Sequence, residues 1–298
     1  MRPYPKILLL GKNGQVGWEL QRSLAPLGEV LALDRLNGGD LAQSDALLSR
    51  VRQFAPQIIV NAAAYTAVDK AESDRDLAWQ INAATPGLLA ELARDLNAWL
   101  VHYSSDYVFD GSGAHARQED EATGPLGVYG GSKLAGEEAI RASGCEHLIL
   151  RTSWVYAARG ANFAKTMLRL ASEREQLRVI ADQIGAPTGA DLLADLTAQM
   201  LPACQRNPEL SGTYHAVAAG ETSWHNYAEH VIAFARAAGT PIKVAADQIH
   251  AISSDDYPTP ARRPLNSRLS CEKLRLNFGL QLPPWQQGVE RMLTEILN

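Results

Sequence analysis

The sequence predicts an α/β fold with a doubly wound parallel sheet. Short apolar runs alternate with stretches of helical spacing through the first half, the pattern of strand–helix–strand units. The first run ends in glycines at every third position, Gly11, Gly14 and Gly17. The second ends on an acid, Asp34, 20 residues after Gly14.

Lys6–Leu10 is an apolar run closed by Gly11, a buried strand. Val16, Leu20 and Leu24 follow at helical spacing, and Glu29–Asp34 reads as the second strand. Leu47, Leu48 and Val51 mark a helix that stops before Pro56, because the residue ahead of a proline disfavours the helical region. Gln57–Val60 is the third strand; two helical stretches follow, split near Pro86. Trp99–Tyr103 is a strand, Leu134–Ile140 a helix and His147–Val155 a strand. Alternation of this kind calls for a mostly parallel sheet covered on both faces. The second half is less regular. Phe163–Ala171 and Leu192–Leu201 read as helices, Thr213–Val217 as a strand, and Trp224–Ala238 as a helix ending at Gly239. Tyr257–Pro264 is a proline-rich loop, and Trp285–Leu297 a final helix.

The chain has 298 residues, 46% hydrophobic and 20% charged, which excludes a disordered protein and suffices for a large core without staples. A net charge of −5 disfavours a nucleic-acid partner. Three scattered cysteines without CxxC argue against a disulfide framework and a thiolate metal site. The early apolar run is too short to span a bilayer and has no signal-peptide flanks, so a cytoplasmic protein with no membrane partner is expected. The expected division is a dinucleotide-binding Rossmann domain over residues 1–156 and a mainly substrate-binding smaller domain over 157–298. Some segments of the latter are expected to return to the sheet.

Glycines allow backbone to approach a pyrophosphate, and the N–H groups opening the next helix then face the anion. GKNGQVG therefore reads as a dinucleotide turn, weighed against a plain strand-to-helix turn. Asp34 suits the adenosine ribose hydroxyls, while Arg35 suits a 2′-phosphate. The pair leaves NADH and NADPH both open.

Tyr129 and Lys133 are four apart and share a helical face. A phenol ordinarily titrates near 10, and an adjacent ammonium lowers that value, making it a usable proton donor. A surface YxxxK pair is the competing reading. HYSSDYVF, at the end of a strand, supplies hydroxyls where such folds bind ligands. Spacing alone does not choose between Ser104 and Ser105.

GKNGQVG, NAAAYTAVDKAE, HYSSDYVFDG, YGGSK and RTSWVY together resemble the extended short-chain dehydrogenase/reductases, and within them the dTDP-4-dehydrorhamnose reductase family. The likeness continues through GANFAKTMLRLA, DQIGAPTGADLLAD and TPARRPLNSRL to the last helix. It implies reduction of the C4 keto group of a dTDP-sugar substrate, dTDP-4-dehydro-L-rhamnose, by NADPH or NADH. The implied catalytic residues are Ser105, where many members carry threonine, with Tyr129 and Lys133. The implied dinucleotide contacts are Gly11, Gly14, Gln15, Val16 and Gly17 at the phosphates; Asp34, Asp40 and Leu41 at the adenosine; and Ala64, Tyr65 and Thr66 beyond the third strand. Ser105, Asp106 and Trp154 would meet the sugar nucleotide, although Trp154 by itself reads as a core aromatic. Arg262, Arg263 and Arg268 are candidates for its diphosphate, against a solvated basic loop. Gly131 stands where many members have lysine.

Some members bind Mg²⁺ through carboxylates at a homodimer contact, and Glu19, Asp191 and Glu295 match those positions, with Asp191 replacing the usual glutamate. Three solvated acids are the competing reading. The seven histidines form no compact ligand set. Two other functions compete. A dehydratase of this superfamily places an Asp-Glu pair after the hydroxyl residue, whereas here Tyr107 follows Asp106. A non-catalytic regulatory subunit would not need the complete hydroxyl, tyrosine and lysine set.

Overall fold

A computed structural model of the chain describes residues 4–297. The N-terminal half runs β1 (Lys6–Leu10), α1 (Gln15–Leu24), β2 (Glu29–Leu33), α2 (Ser44–Phe54), β3 (Ile58–Asn61), α3 (Val68–Ala71), α4 (Arg75–Trp79), α5 (Thr85–Asp95), β4 (Trp99–Ser105), α6 (Val128–Ser143) and β5 (His147–Thr152). It continues through β6 (Val155–Tyr156), α7 (Phe163–Glu173), β7 (Leu177–Ile180), β8 (Ile184–Gly185), β9 (Thr188–Gly189) and α8 (Ala190–Arg206). Then come β10 (Gly212–His215), β11 (Thr222–Ser223), α9 (Trp224–Ala237), β12 (Ile249–Ile252), α10 (Glu272–Phe278) and α11 (Trp285–Leu297).

Six strands form one parallel sheet in the order β10-β5-β4-β3-β1-β2. Strand alternation sends Ile7, Leu9, Ile58, Val60, Val101, Leu148 and Leu150 to one face, under α1 and α8. Leu8, Leu10, Ile59, Leu100 and Ile149 face α2 and α5 on the other. Both faces are thus dry, which is why these strands read as unbroken apolar runs. Strand order reverses between β1 and β3, and in such sheets ligands bind in the crevice beyond the carboxyl ends of the strands at that point. The glycine turn follows β1, and Ala64–Thr66 follow β3. The C-terminal part adds β10 to the sheet edge and lays α8 on α1, while α7, α9 and α11 pack around Tyr227, Val231 and Trp285.

Several boundaries differ from the sequence expectation. The helical chain does not break at Pro86; a π-helical turn, Gln80–Ala84, leads directly into α5, whose first turn accepts the proline because its N–H is not needed there. The break lies earlier, between α3 and α4. Helix α8 runs on through Pro202, held by the buried apolar row Met200, Leu201 and Cys204. The expected strand His147–Val155 divides at Ser153-Trp154, where Trp154 adopts a left-handed backbone, φ 48°. The loop Tyr257–Pro264 has no regular structure.

Candidate active site

The dinucleotide turn is built by close approach. Gly11 has φ 83°, and a side chain at Gly17 would collide with the Gly11 carbonyl. Gly14 caps α1 without a side-chain bond, leaving helix N–H groups for an anion. The amide oxygen Oε1 of Gln15 is buried without a partner, and Val16 packs on the core beneath. The close approach of the glycines and the open helix N–H groups fit a dinucleotide diphosphate.

Asp34 sits one residue beyond β2. Its carboxylate accepts from the Leu36 N–H at 2.8 Å and from Asn13 Nδ2 at 2.5 Å, with Lys12 Nζ at 3.6 Å. The Leu36 bond, aided by Lys12, holds it below the usual carboxylate range. Arg35 beside it is exposed. Asp40 accepts from the Ala42 N–H at 3.0 Å, and buried Leu41 receives the Thr85 hydroxyl on its carbonyl at 2.6 Å. Ala64 and Tyr65 are half-buried and Thr66 is exposed. Asn82, fully buried in the π-turn, accepts from the Tyr65 N–H at 2.9 Å. Its Nδ2 donates to the Tyr65 carbonyl and to Ser132 Oγ, both at 3.1 Å. Asn82 thereby ties the loop after β3 to α6.

Glycine also sets α6: a side chain at Gly130 would strike the Tyr107 carbonyl, so the helix start lies against the segment after β4. There the Ser105 hydroxyl donates to Asp106 Oδ1 at 2.9 Å and faces the Tyr129 phenol, while Ser104 lies beside Glu137. Tyr129 is half-buried, edge-on to Tyr107 with ring centroids 5.4 Å apart. Asp106 is 2% exposed, and burial pushes its carboxyl up to about 6 against the pull of Ser267 and Ser105; its Oδ2 has no partner.

Lys133 departs from expectation. Its Nζ donates to the Tyr103 carbonyl at 2.6 Å and lies 3.2 Å from His102 Nε2, on β4 rather than beside the phenol. Burial pushes Tyr129 up to about 12; Ser105 pulls it down and Asp106 pushes it further up. Burial therefore favours the protonated phenol. Burial brings Lys133 down to about 8, opposed by Glu137. Glu137 is itself neutralised by a two-pronged Arg151 contact, 2.9 and 2.7 Å, and by Arg141 at 3.1 Å.

Trp154 stacks on Trp224, centroids 3.6 Å apart and 16° between planes, with Gly185 against its ring. Arg263 reaches Asp69 at 2.7 Å, Arg268 reaches Glu221 at 2.6 Å, and Arg262 is exposed. Glu19, Asp191 and Glu295 do not meet within this chain. Asp191 is bound by Arg291 at 2.6 Å, Glu19 lies 3.5 Å from Arg22, and Glu295 is exposed. Among the described residues no three His, Cys, Asp or Glu side chains converge on a cation position.

No motif in the sequence marks a role for Asn61, Asn82, His102, Glu137 or Trp224. The available signal for Asn61 and His102 was a polar residue inside an otherwise apolar strand.

A parallel sheet with a glycine turn after β1, and a serine, tyrosine and lysine gathered around β4 and α6, defines an extended short-chain dehydrogenase/reductase. The family model described as RmlD substrate binding domain matches residues 5–298. The chain is 54% identical over 295 residues to dTDP-4-dehydrorhamnose reductase of Shigella flexneri and 55% to that of Salmonella typhimurium, covering 98% of both partners in each case. A crystal structure of dTDP-4-dehydrorhamnose reductase from Bacillus anthracis in complex with NADP is 36% identical. It superposes with a TM-score of 0.87, covering 98% of this chain and 99% of that one. The chain belongs to the dTDP-4-dehydrorhamnose reductase family.

Proposed function

We propose that the protein is a cytoplasmic NAD(P)H-dependent reductase that converts dTDP-4-dehydro-L-rhamnose to dTDP-L-rhamnose. The observation that carries this reading is the match of 54% identity over 98% of both chains to a reductase of that name. The site geometry supports it. A dinucleotide whose diphosphate lies on the glycine turn would supply the hydride to C4 from its nicotinamide. Gly11, Gly14, Gln15, Val16 and Gly17 would hold the diphosphate; Asp34, Asp40 and Leu41 would flank the adenosine, and Ala64, Tyr65 and Thr66 the remainder.

Ser105 orients the ketone by donating to its oxygen, giving up its bond to Asp106. Tyr129, protonated at rest, gives its proton to the oxygen as negative charge builds there. Lys133 lies one helical turn along and would hold the nicotinamide ribose. Asp106 turns its free Oδ2 to a sugar hydroxyl, and Trp154 lends a face to the sugar. Arg262, exposed, meets the diphosphate directly, whereas Arg263 and Arg268 first have to leave Asp69 and Glu221.

The test follows NADPH absorbance with dTDP-4-dehydro-6-deoxy-D-glucose, with and without a separate 3,5-epimerase. Rapid oxidation only when the epimerase is present, with dTDP-L-rhamnose as product, is the expected result. Misplacement of C4 by about 1 Å in the unepimerised sugar costs roughly 10²-fold. Equal rates without epimerase, or a 6-deoxy-D-hexose as sole product, would overturn the assignment.

A further inference from the structure

The helix that carries Tyr129 has a weak start. Gly127 is its N-cap and has no side chain to offer, and Gly130 and Gly131 follow Tyr129 within the first turn. Glycine is among the poorest helix formers, and the opening N–H groups of a helix have no partner inside it. Gly127 and Gly130 leave no room for better residues. A side chain at Gly130 would strike the Tyr107 carbonyl, and one at Gly127 would strike Glu72 Oε1. The missing cap comes from another element. Glu72, the C-cap of α3, accepts from the Val128 N–H at 2.8 Å, and Val128 is the first residue of α6. A carboxylate also suits the positive end of the helix dipole. The platform that carries it is fixed. Ala71, beside Glu72, shares one buried apolar cluster with Val128 and Ala78, and Tyr65 and Tyr129 pack against that cluster. Asp69 on α3 accepts from the Ala261 N–H at 3.1 Å, and the Tyr65 hydroxyl donates to Asp74 at 3.0 Å.

We propose that Glu72 is a positioning residue for Tyr129: its carboxylate caps α6 from outside and so sets where the phenol stands beside Ser105. The role of Tyr129 rests on the reductase reading; the cap does not. The Gly131 N–H closes the first turn on the Gly127 carbonyl at 3.0 Å, and Gly127 is extended, with φ −154°. Glu72 secures that residue through the next N–H along, so the start of the turn swings once the bond is lost. Lys133, one turn later, has its own anchor on the Tyr103 carbonyl at 2.6 Å. The cap therefore acts on the proton donor more than on the lysine. A phenol displaced by about 1 Å costs roughly 10²-fold in the step that needs it.

The test separates the cap from the charge and from general packing. Glu72→Gln keeps an acceptor oxygen for the Val128 N–H, whereas Glu72→Ala removes it. With NADPH and dTDP-4-dehydro-L-rhamnose, kcat should fall about tenfold or more in Glu72→Ala and stay within about threefold of the parent in Glu72→Gln. KM for the sugar and dinucleotide affinity by calorimetry should change by less than about threefold in both. In a Tyr129→Phe background, Glu72→Ala should cost little more, because no phenolic proton is left to misplace. A further loss there as large as in the parent, or an equal fall in the Gln and Ala variants, would mean a merely structural role and would overturn the proposal. Amide hydrogen exchange reads the cap without turnover, so a failed cap is told apart from a failed reductase reading. Residues 127–131 should exchange at least about tenfold faster in Glu72→Ala than in the parent, with the rest of α6 unchanged. Parental exchange at Val128 in Glu72→Ala would refute the cap.

Discussion

The Ser105 hydroxyl donates to Asp106 Oδ1 at 2.9 Å, and the second oxygen of that carboxylate, Oδ2, is buried without a partner. One side chain thus holds one satisfied oxygen and one unsatisfied oxygen. Leaving a buried acceptor unpaired costs stability, and a polar ligand restores the bond.

This arrangement makes stability depend on pH in a defined direction. The folded-state value of Asp106, about 6, lies above its unfolded value. The native protein therefore holds the proton more tightly, and this group's contribution is complete below the unfolded value and lost as pH rises through about 6. Asp106→Asn removes the titration. Its stability advantage over the parent should be larger at about pH 7.5 than at about pH 4.5, by on the order of 2 kcal/mol. Turnover should fall at least about tenfold through the lost charged acceptor. Thermal melts of both proteins at the two pH values test this; a gap independent of pH would contradict it.

Tyr129→Phe keeps the ring and its edge-on contact with Tyr107 but removes the proton donor. Turnover should fall by roughly 10² to 10⁴-fold, with dinucleotide affinity by calorimetry nearly unchanged. Lys133→Ala should weaken both quantities. Near-parental turnover in Tyr129→Phe would remove the phenol from the chemistry.

At the adenosine end, Asp34 repels a 2′-phosphate and also occupies Lys12 and Asn13. Asp34→Ala should remove the repulsion and free Lys12 together. The ratio of kcat/KM for NADPH over NADH should rise by about tenfold, equivalent to about 1.4 kcal/mol. An unchanged ratio would place the ribose elsewhere.

Glu137 and Arg151 are both buried, 0% and 3% exposed. Glu137→Gln leaves the guanidinium without its countercharge, and breaking such pairs from one side typically costs about 3 kcal/mol. Urea unfolding should show a loss near that size. A loss under about 1 kcal/mol would mean that the glutamine amide and Glu119 carbonyl suffice for Arg151.

The parts legible in the sequence are those written at short range. Alternating residues of β1, β3, β4 and β5 all read as apolar because both sheet faces are covered. Gly11, Gly14 and Gly17 mark a turn that tolerates nothing larger at Gly17, and Tyr129 and Lys133 share a helix face through their spacing. What was hidden arises between elements. The direction of Lys133 Nζ depends on a carbonyl 30 residues earlier in the chain. The Asn61–His102 contact spans 41 residues, and spacing along one strand does not show it. Trp154 combines a left-handed backbone with a stack on Trp224, on a helix far along the chain, and neither shows in local spacing. Pro86 looked like a break because the π-turn that accommodates it leaves no mark in apolar periodicity.

The most direct measurement uses NADPH carrying deuterium at the nicotinamide C4, prepared separately on each face, with dTDP-4-dehydro-L-rhamnose. One of the two labels should appear as a single deuterium at C4 of the rhamnosyl product, read by NMR and mass spectrometry. The other should remain in the oxidised dinucleotide. Deuterium at another sugar carbon, or a sugar product free of deuterium from both labels, would contradict hydride delivery to C4 beside Tyr129.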